Sequence, residues 1–292
     1  MNRKLRRLAQ LPVIGKIISW GGQLLVSREG RKIAKHFSKF LKPVVAYHEE
    51  TVNETFRIRH QVYCEELEFE DPRPEKMEKD DFDRFSRYCL IQRKQTSDHA
   101  GTIRIVSPQN DDELLPIEKY CQHALEGADL KPSDFNRNEV CEMSRLAVPA
   151  SYRRRQMDKY KGAATGVINE GSYSKEELRC FPFLAIGLYL AGAALAIRSG
   201  NKHCFVMMEP RLARSMAFIG VKFKQLGPAV DYHGIRAPYY INAEMLHASL
   251  PRGFKRLFAV IDKEIEKQRE QARLEAMSPS EKFCETQKRM YQ

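Results

Sequence analysis

The segment Glu139-Val140-Cys141-Glu142-Met143-Ser144-Arg145-Leu146-Ala147-Val148 alternates as a β-strand does and ends at Pro149, yet it carries Glu142 and Arg145 in its middle. Opposite charges inside an apolar run persist when they pair or take part in chemistry. Arginines beside carboxylates form ion-pair networks, and a carboxylate buried in a strand is a candidate for proton transfer. Glu142 therefore has two readings, a general base or a structural partner of Arg145 or Arg104. Cys141 reads as an inert buried thiol, and His60 and His233 as hydrogen-bonded structural histidines. Ser144 has no evident His/Asp partner. Arg211 and Arg214 share one helix face, read as solvated, while Tyr232 and Tyr240 are candidates for lining a binding site. The seven cysteines include no CxxC pair and no close Cys/His cluster, which argues against a zinc site and a secreted disulfide framework; no metal is expected.

The elements that must position these residues follow from periodicity. Pro43–Tyr47 reads as a strand and Thr51–Leu67 as a helix with Phe56, Val62, Tyr63 and Leu67 on one side. A charged, proline-rich loop spans Glu68–Lys79. Ser86–Arg93 and Thr102–Val106 form a hairpin, followed by an irregular stretch with a helical turn near Ile117–Tyr120. The Glu142 strand is then expected at the centre of the sheet. Phe181–Arg198 is apolar enough to suggest a membrane span, but its composition and the strand Cys204–Met208 that follows favour a buried helix. Arg211–Ile219 reads as a short helix, then Phe223–Leu226, Val230–Tyr232 and Ala237–Ile241 as short strands, and Ala243–Ala276 as a charged helix. The expected class is α/β (α+β), a mixed twisted central sheet flanked by helices.

The net charge of +11 is concentrated at one end. Residues 1–42 hold eleven Lys/Arg against one acid, whereas residues 43–250 hold 28 against 30. Three regions are expected: a basic amphipathic arm over 1–42, one domain over 43–250, and a charged helical tail over 251–292. The arm suits the surface of an anionic membrane, with packing on the protein's own body as the alternative. A basic body gripping nucleic acid is not supported. The expected location is cytoplasmic, peripheral on the inner face of the membrane.

Several short motifs, in order over most of residues 43–245, carry a resemblance. They are Phe56-Arg57-Ile58-Arg59-His60-Gln61-Val62-Tyr63, Asp80-Asp81-Phe82-Asp83, Thr102-Ile103-Arg104, Glu142-Met143-Ser144-Arg145, Glu209-Pro210-Arg211-Leu212-Ala213-Arg214, and Gly227-Pro228 through Tyr232-His233-Gly234. The chain resembles the GNAT-like autoinducer synthase and N-acyl amino acid synthase group, most of all the PEP-CTERM/exosortase-associated acyltransferases. The resemblance implies a GNAT-like fold and an ion-pair network of Arg59, Asp80, Asp83, Arg104, Glu142 and Arg145, with Tyr63, Phe82, Ser144 and Val148 around the site. The tryptophan expected shortly after Tyr63 is absent, and Phe69 stands near its place. This shifts the expectation from lactone synthases to N-acyl amino acid synthases.

The implied reaction moves a fatty acyl group from a thioester to the α-amine of an amino acid. Glu142 would take the proton, Arg104 and Arg145 would complete the catalytic group, and a backbone N–H splayed from the strand near Leu146–Val148 would meet the oxyanion. The long helix and the strand 204–208 would wall an apolar tunnel. No glycine-rich pyrophosphate loop follows the central strand. Arg153, Arg154, Arg155 and Lys159 stand there instead and suit the acidic surface and single phosphate of an acyl carrier protein. The expected donor is thus an acyl carrier thioester rather than acyl-CoA, with no bound cofactor. Two alternatives stay open: a lactone synthase using S-adenosylmethionine, and a catalytically silent GNAT-like membrane-associated binding protein.

Overall fold

The computed structural model describes residues 31, 34–35, 37–154, 167–168 and 184–277. The chain enters through β1 (Leu41–Val45) and α1 (Glu49–His60), which runs on as a π-helical turn over Gln61–Glu66. A short 3-10 turn at Asp81–Phe85 precedes β2 (Ser86–Arg93) and β3 (His99–Val106). After α2 (Pro116–Tyr120) come β4 (Val140–Ala147), β5 (Tyr152–Arg154) and β6 (Val167–Ile168). Then follow α3 (Leu184–Arg198), β7 (His203–Met208), α4 (Pro210–Phe218), β8 (Lys224–Gln225), β9 (Val230–Asp231), β10 (Ile235–Asn242), α5 (Ala243–Ser249) and α6 (Arg252–Ala276).

The main sheet has the order β1-β2-β3-β4-β7-β10-β8, with β9 paired to β10. Its pairs are antiparallel except for β4 with β7. That parallel contact covers only Val140–Glu142 against His203–Phe205, after which the two strands separate. The Glu142 strand does lie in the middle of the sheet. Strand alternation splits its side chains. Cys141 and Met143 face a large apolar core with α3 and α6, while Val140 faces a second core built from Leu115, Ile117, Leu125 and Phe205. The architecture matches the expected mixed sheet between helices.

Helix α3 has buried residues on all sides, including Leu188, Tyr189, Leu190 and Ala194, because the sheet covers one side and α6 another. Among the described residues no helix is long and apolar enough to cross a membrane. The expected single helix over Ala243–Ala276 is broken in two: Leu250 is extended and Pro251 caps α6, since proline lacks the N–H a continuing helix needs. The segment after residue 250, expected as a charged helical tail, is helical over Arg252–Ala276 and packs on the body. Phe254, Leu257, Phe258, Ile261 and Ile265 recur at helical spacing and are buried in the core. Arg198 on α3 pairs with Asp262 and Glu266 on α6 at 2.8 and 3.0 Å.

Strand β1 forms one edge of the sheet, and two features protect it. Pro43 offers no N–H to an incoming strand. Gln268 of α6 accepts from the Val45 N–H at 2.9 Å and donates to the Pro43 carbonyl at 2.8 Å. The opposite edge, β8, is only two residues long.

Candidate functional site

The site begins where β4 departs from regular pairing. Thr102 of β3 is opposite Ala147 and Arg104 is opposite Ser144, so β4 carries one extra residue over that interval. This is a β-bulge, and Arg145 within it has φ +49°, in the left-handed region that a branched or long side chain enters at a cost. Arg145 and Leu146 have no register partner on β3, and β7 has already turned away. Gly101 lets the strands approach here, because a Cβ in its place would stand 2.7 Å from the Ala147 carbonyl. The splayed backbone expected near Leu146–Val148 is therefore centred slightly earlier, on Arg145–Leu146. Val148 itself is buried in the apolar core, past the end of the strand.

An ion-pair network holds the bulge. Arg59 is wholly buried and binds Glu78 at 2.5 Å and Asp83 at 2.7 Å. Arg104 binds Asp80 at 2.5 Å, Asp83 at 3.0 Å and the Ser144 hydroxyl at 3.1 Å. Arg145 binds Glu70 at 2.8 Å, Glu78 at 3.2 Å and Asp80 at 3.3 Å. The short turn fixes its two aspartates: Asp80 accepts from the Phe82 N–H, and Asp83 accepts from the Asp80 N–H. Burial pushes the Asp83 carboxyl up, but attraction and hydrogen bonding to Arg59, with attraction to Arg104, outweigh it and hold the group at about 2. Glu78 is likewise lowered, with burial overcome by Arg59 and Arg145. Tyr63, packed under the Arg145 guanidinium, donates to the Leu146 carbonyl at 2.8 Å and so ties the π-helical turn to the bulge.

One expectation needs correction. Glu142 was grouped with the arginines, yet it forms no ion pair within the described residues. It lies beneath the network, almost fully buried, and accepts from the Ile117 N–H at 2.7 Å. Burial drives its carboxyl up to about 8, against the Ile117 hydrogen bond and the attraction of Arg104. The carboxylates that Arg145 needs come from Glu70 and Glu78 instead. Both lie in the loop 68–79, which folds back over the bulge.

Three cavities lie around β4 and β7. A polar cleft of about 440 Å³ is bordered by Glu142, Ser144, Arg104, Tyr232 and Arg236. A second, of about 590 Å³, occupies the gap between the strands and shares Tyr63, Ser144, Arg145, Met207 and Arg236 with the first. Phe69 also borders this gap and lies against His233. The third, of about 480 Å³, lies under α3 and is walled almost wholly by apolar side chains such as Leu190, Ala193, Phe223 and Ile241. It shares Met143 and Tyr189 with the gap. Glu142 and Ser144 thus face the polar cleft, Cys141 and Met143 face the apolar cavity, and the gap borders both Met143 and Ser144.

The remaining candidates take structural places. His60 accepts from the Arg73 N–H at 3.0 Å, and His233 is lowered by burial. Cys141 contacts Cys204, and that hydrogen bond together with burial pushes its thiol well up, as in an unreactive cysteine. Tyr240 bonds to His203 at 2.8 Å, while Tyr232 does border the polar cleft. Phe82 packs beneath Arg104. Arg211 pairs with Glu209 on the surface. Arg153 and Arg154 lie on β5, directly after the bulged strand, but their side chains, together with Arg155, Lys159 and residues 1–30 of the arm, lie outside the described residues. Among the described residues no cluster of metal-ligating side chains occurs. Sequence reasoning missed Glu70, Glu78, Tyr189 and Arg236. The only signal for the first two was arithmetic, because three buried arginines need more carboxylates than Asp80 and Asp83 supply.

Residues 58–162 match the acetyltransferase (GNAT) domain family. No curated protein shows significant similarity to the chain. Among solved structures, the protein is similar to the AHL synthase LasI at 15% identity and TM-score 0.48, covering 72% of this chain and 96% of that one. It is similar to MesI, a CoA-dependent acyl-homoserine lactone synthase, at 16% identity and TM-score 0.49, covering 76% and 94%. It is also similar to FeeM, an N-acyl amino acid synthase from uncultured soil microbes, at 11% identity and TM-score 0.46, covering 72% and 94%. The domain match and the architecture agree with the expectation of a GNAT-like acyltransferase.

Proposed function

We propose that the protein transfers a fatty acyl group from a carrier thioester to the α-amine of an amino acid. The observation that carries this reading is the polar cleft bordered by Glu142 and the gap beside it at the β4–β7 separation, with an apolar cavity on the other face of the sheet. In this reading the acyl chain would lie against the apolar walls under α3, its thioester in the gap, and a small polar acceptor in the cleft bordered by Glu142. In the reaction the amine nitrogen attacks the thioester carbon, the C–N bond forms, and the C–S bond breaks. Glu142, whose carboxyl burial pushes up to about 8, takes in its ionised form the proton lost by the amine and can return it to the departing thiolate. The unpaired stretch Arg145–Leu146 supports a backbone donor to the oxyanion. The ion-pair network keeps the bulge in shape and presents fixed positive charge nearby.

An acyl carrier protein is the preferred donor because Arg153, Arg154, Arg155 and Lys159 follow the bulged strand. The basic part of the arm, ahead of the buried Ala34, Phe37, Phe40 and Leu41, would hold the enzyme against the inner face of an anionic membrane, and liposome binding that survives deletion of residues 1–30 would refute that part. For the reaction itself, decanoyl carrier protein or decanoyl-CoA is incubated with the protein and each of the common amino acids, and thiol release and products are followed by mass spectrometry. Formation of N-decanoyl amino acids is expected, faster with the carrier protein and abolished in Glu142→Ala and Arg104→Ala. Lactone and methylthioadenosine appearing with S-adenosylmethionine would refute the amino acid acceptor. Absence of thiol release with every acceptor would leave a silent binding protein.

A further inference from the structure

The arginines of the network are saturated with carboxylates, and one arginine at the cleft is not. Arg236 is the second residue of β10, just after the turn at Gly234, is half-buried, and borders both the polar cleft and the gap. Among the described residues no carboxylate lies within ion-pairing distance of it. Its guanidinium lies over the Tyr232 ring at 5.9 Å, which leaves its N–H edge unclaimed by that ring. Of the two acids that line the same cleft, Asp80 is already paired with Arg104 and Arg145, and Glu142, pushed up by burial to about 8, is held largely neutral at pH 7.

A half-buried cation without a partner is costly, and a planar fork of donors matches a carboxylate in two-point contact. We infer that Arg236 binds the free carboxylate of the acceptor, so that the acceptor class is α-amino acids with an unblocked carboxyl group. This rests on the acyl-transfer reading and deepens it. An α-amino acid holds its amine and carboxylate on one carbon, so a carboxylate anchored at Arg236 delivers the amine into the cleft that Glu142 borders. Arg104 and Arg145 are poorer anchors, because each already binds two or more carboxylates. Arg236 lies on the Glu142 side of the sheet, away from the apolar cavity under α3, which places it with the acceptor rather than with the donor's chain.

The test uses the full chain with decanoyl carrier protein as donor and two acceptor mixtures, the free amino acids and the corresponding amino acid amides. Thiol release is measured for wild type, Arg236→Met and Arg236→Lys. For wild type, the free acids should react at least tenfold more efficiently than the amides. Arg236→Met should raise the KM for the free acids about tenfold to a hundredfold, as expected for loss of a charged hydrogen-bonding pair. It should leave the amides nearly unchanged and the KM for the donor within about twofold, and Arg236→Lys should restore part of the loss. Equal losses for acids and amides would overturn the inference, as would a rise confined to the donor KM, which would assign Arg236 to a donor phosphate. A wild type that releases no thiol with either mixture would refute acyl transfer itself, and that result is distinct from turnover without discrimination. Circular dichroism and a urea midpoint matching wild type show that Arg236→Met is folded.

Discussion

Replacing Glu142 with glutamine tests both the burial of this carboxyl and its part in proton transfer. Glutamine keeps an oxygen to accept the Ile117 N–H but cannot ionise. In the folded wild type the group titrates at about 8, against an ordinary value of 4.5. The folded state therefore holds a proton that the unfolded chain releases. The stability tied to this proton is fully present below pH 4.5 and is lost as pH rises through about 8. At about 1.4 kcal/mol per pH unit, the gap caps the loss at about 5 kcal/mol, of which about 4 kcal/mol falls between pH 5 and pH 9. Urea unfolding of both proteins at pH 5, 7 and 9 isolates this group, since other titrations cancel in the difference. Wild type should lose about 4 kcal/mol more than Glu142→Gln over that range. A difference below about 1 kcal/mol would refute the buried neutral carboxyl. In turnover, the wild-type rate should rise with pH toward about 8 and then level. The variant should lose that limb and fall about a hundredfold or more, as expected for removal of a general base.

Other consequences follow from the same geometry. Glu78→Gln strands the wholly buried Arg59 beside half of its charge compensation, and should cost about 3–5 kcal/mol in chemical denaturation. Asp83, held at about 2 against an ordinary 3.8, contributes stability above pH 3.8 that disappears as pH falls through 2. Asp83→Asn should therefore show a shallower acid limb than wild type, by about 2 kcal/mol. Ala193→Phe fills the cavity under α3, and should shift the donor preference in a chain-length series toward shorter acyl groups, while an unshifted profile would exclude that cavity as the chain's site. Tyr63→Phe removes the hydroxyl that grips Leu146, and should lower turnover more than its expected stability cost of about 1 kcal/mol, because the bulge loses a support.

Much of this was legible in the sequence, and for stated reasons. The alternation of Val140–Val148 and its charges marked the central strand and its peculiarity, because period and polarity are local properties. The helix before Tyr63, the hairpin and the apolar α3 followed from the same kind of signal. What escaped depends on distant pairing. Glu70 and Glu78 sit in a loop whose charges look solvated until the fold lays it over Arg145 and Arg59. Glu142 appeared to need an arginine, but Ile117, from a short helical turn in an irregular stretch, supplies its partner through a backbone N–H. The extra residue in β4 is set by its register with Thr102 and Arg104, which the strand's own sequence does not encode. Residues 252–276 looked like a charged tail because the five buried apolar positions are spread thinly among charges over seven helical turns.

The Gln268 clasp on β1 has a consequence for the order in which the protein is made. Val45 and its cover are 223 residues apart in sequence. At about 5–20 residues per second, the strand leaves the ribosome roughly 10 to 45 seconds before Gln268 is synthesised. During that interval the edge of the nascent sheet is uncovered, and a neighbouring nascent chain could add to it. Pro43 acts from the moment it emerges, because its missing N–H needs no partner. The proline guards the edge during translation, and the glutamine seals it once α6 has docked.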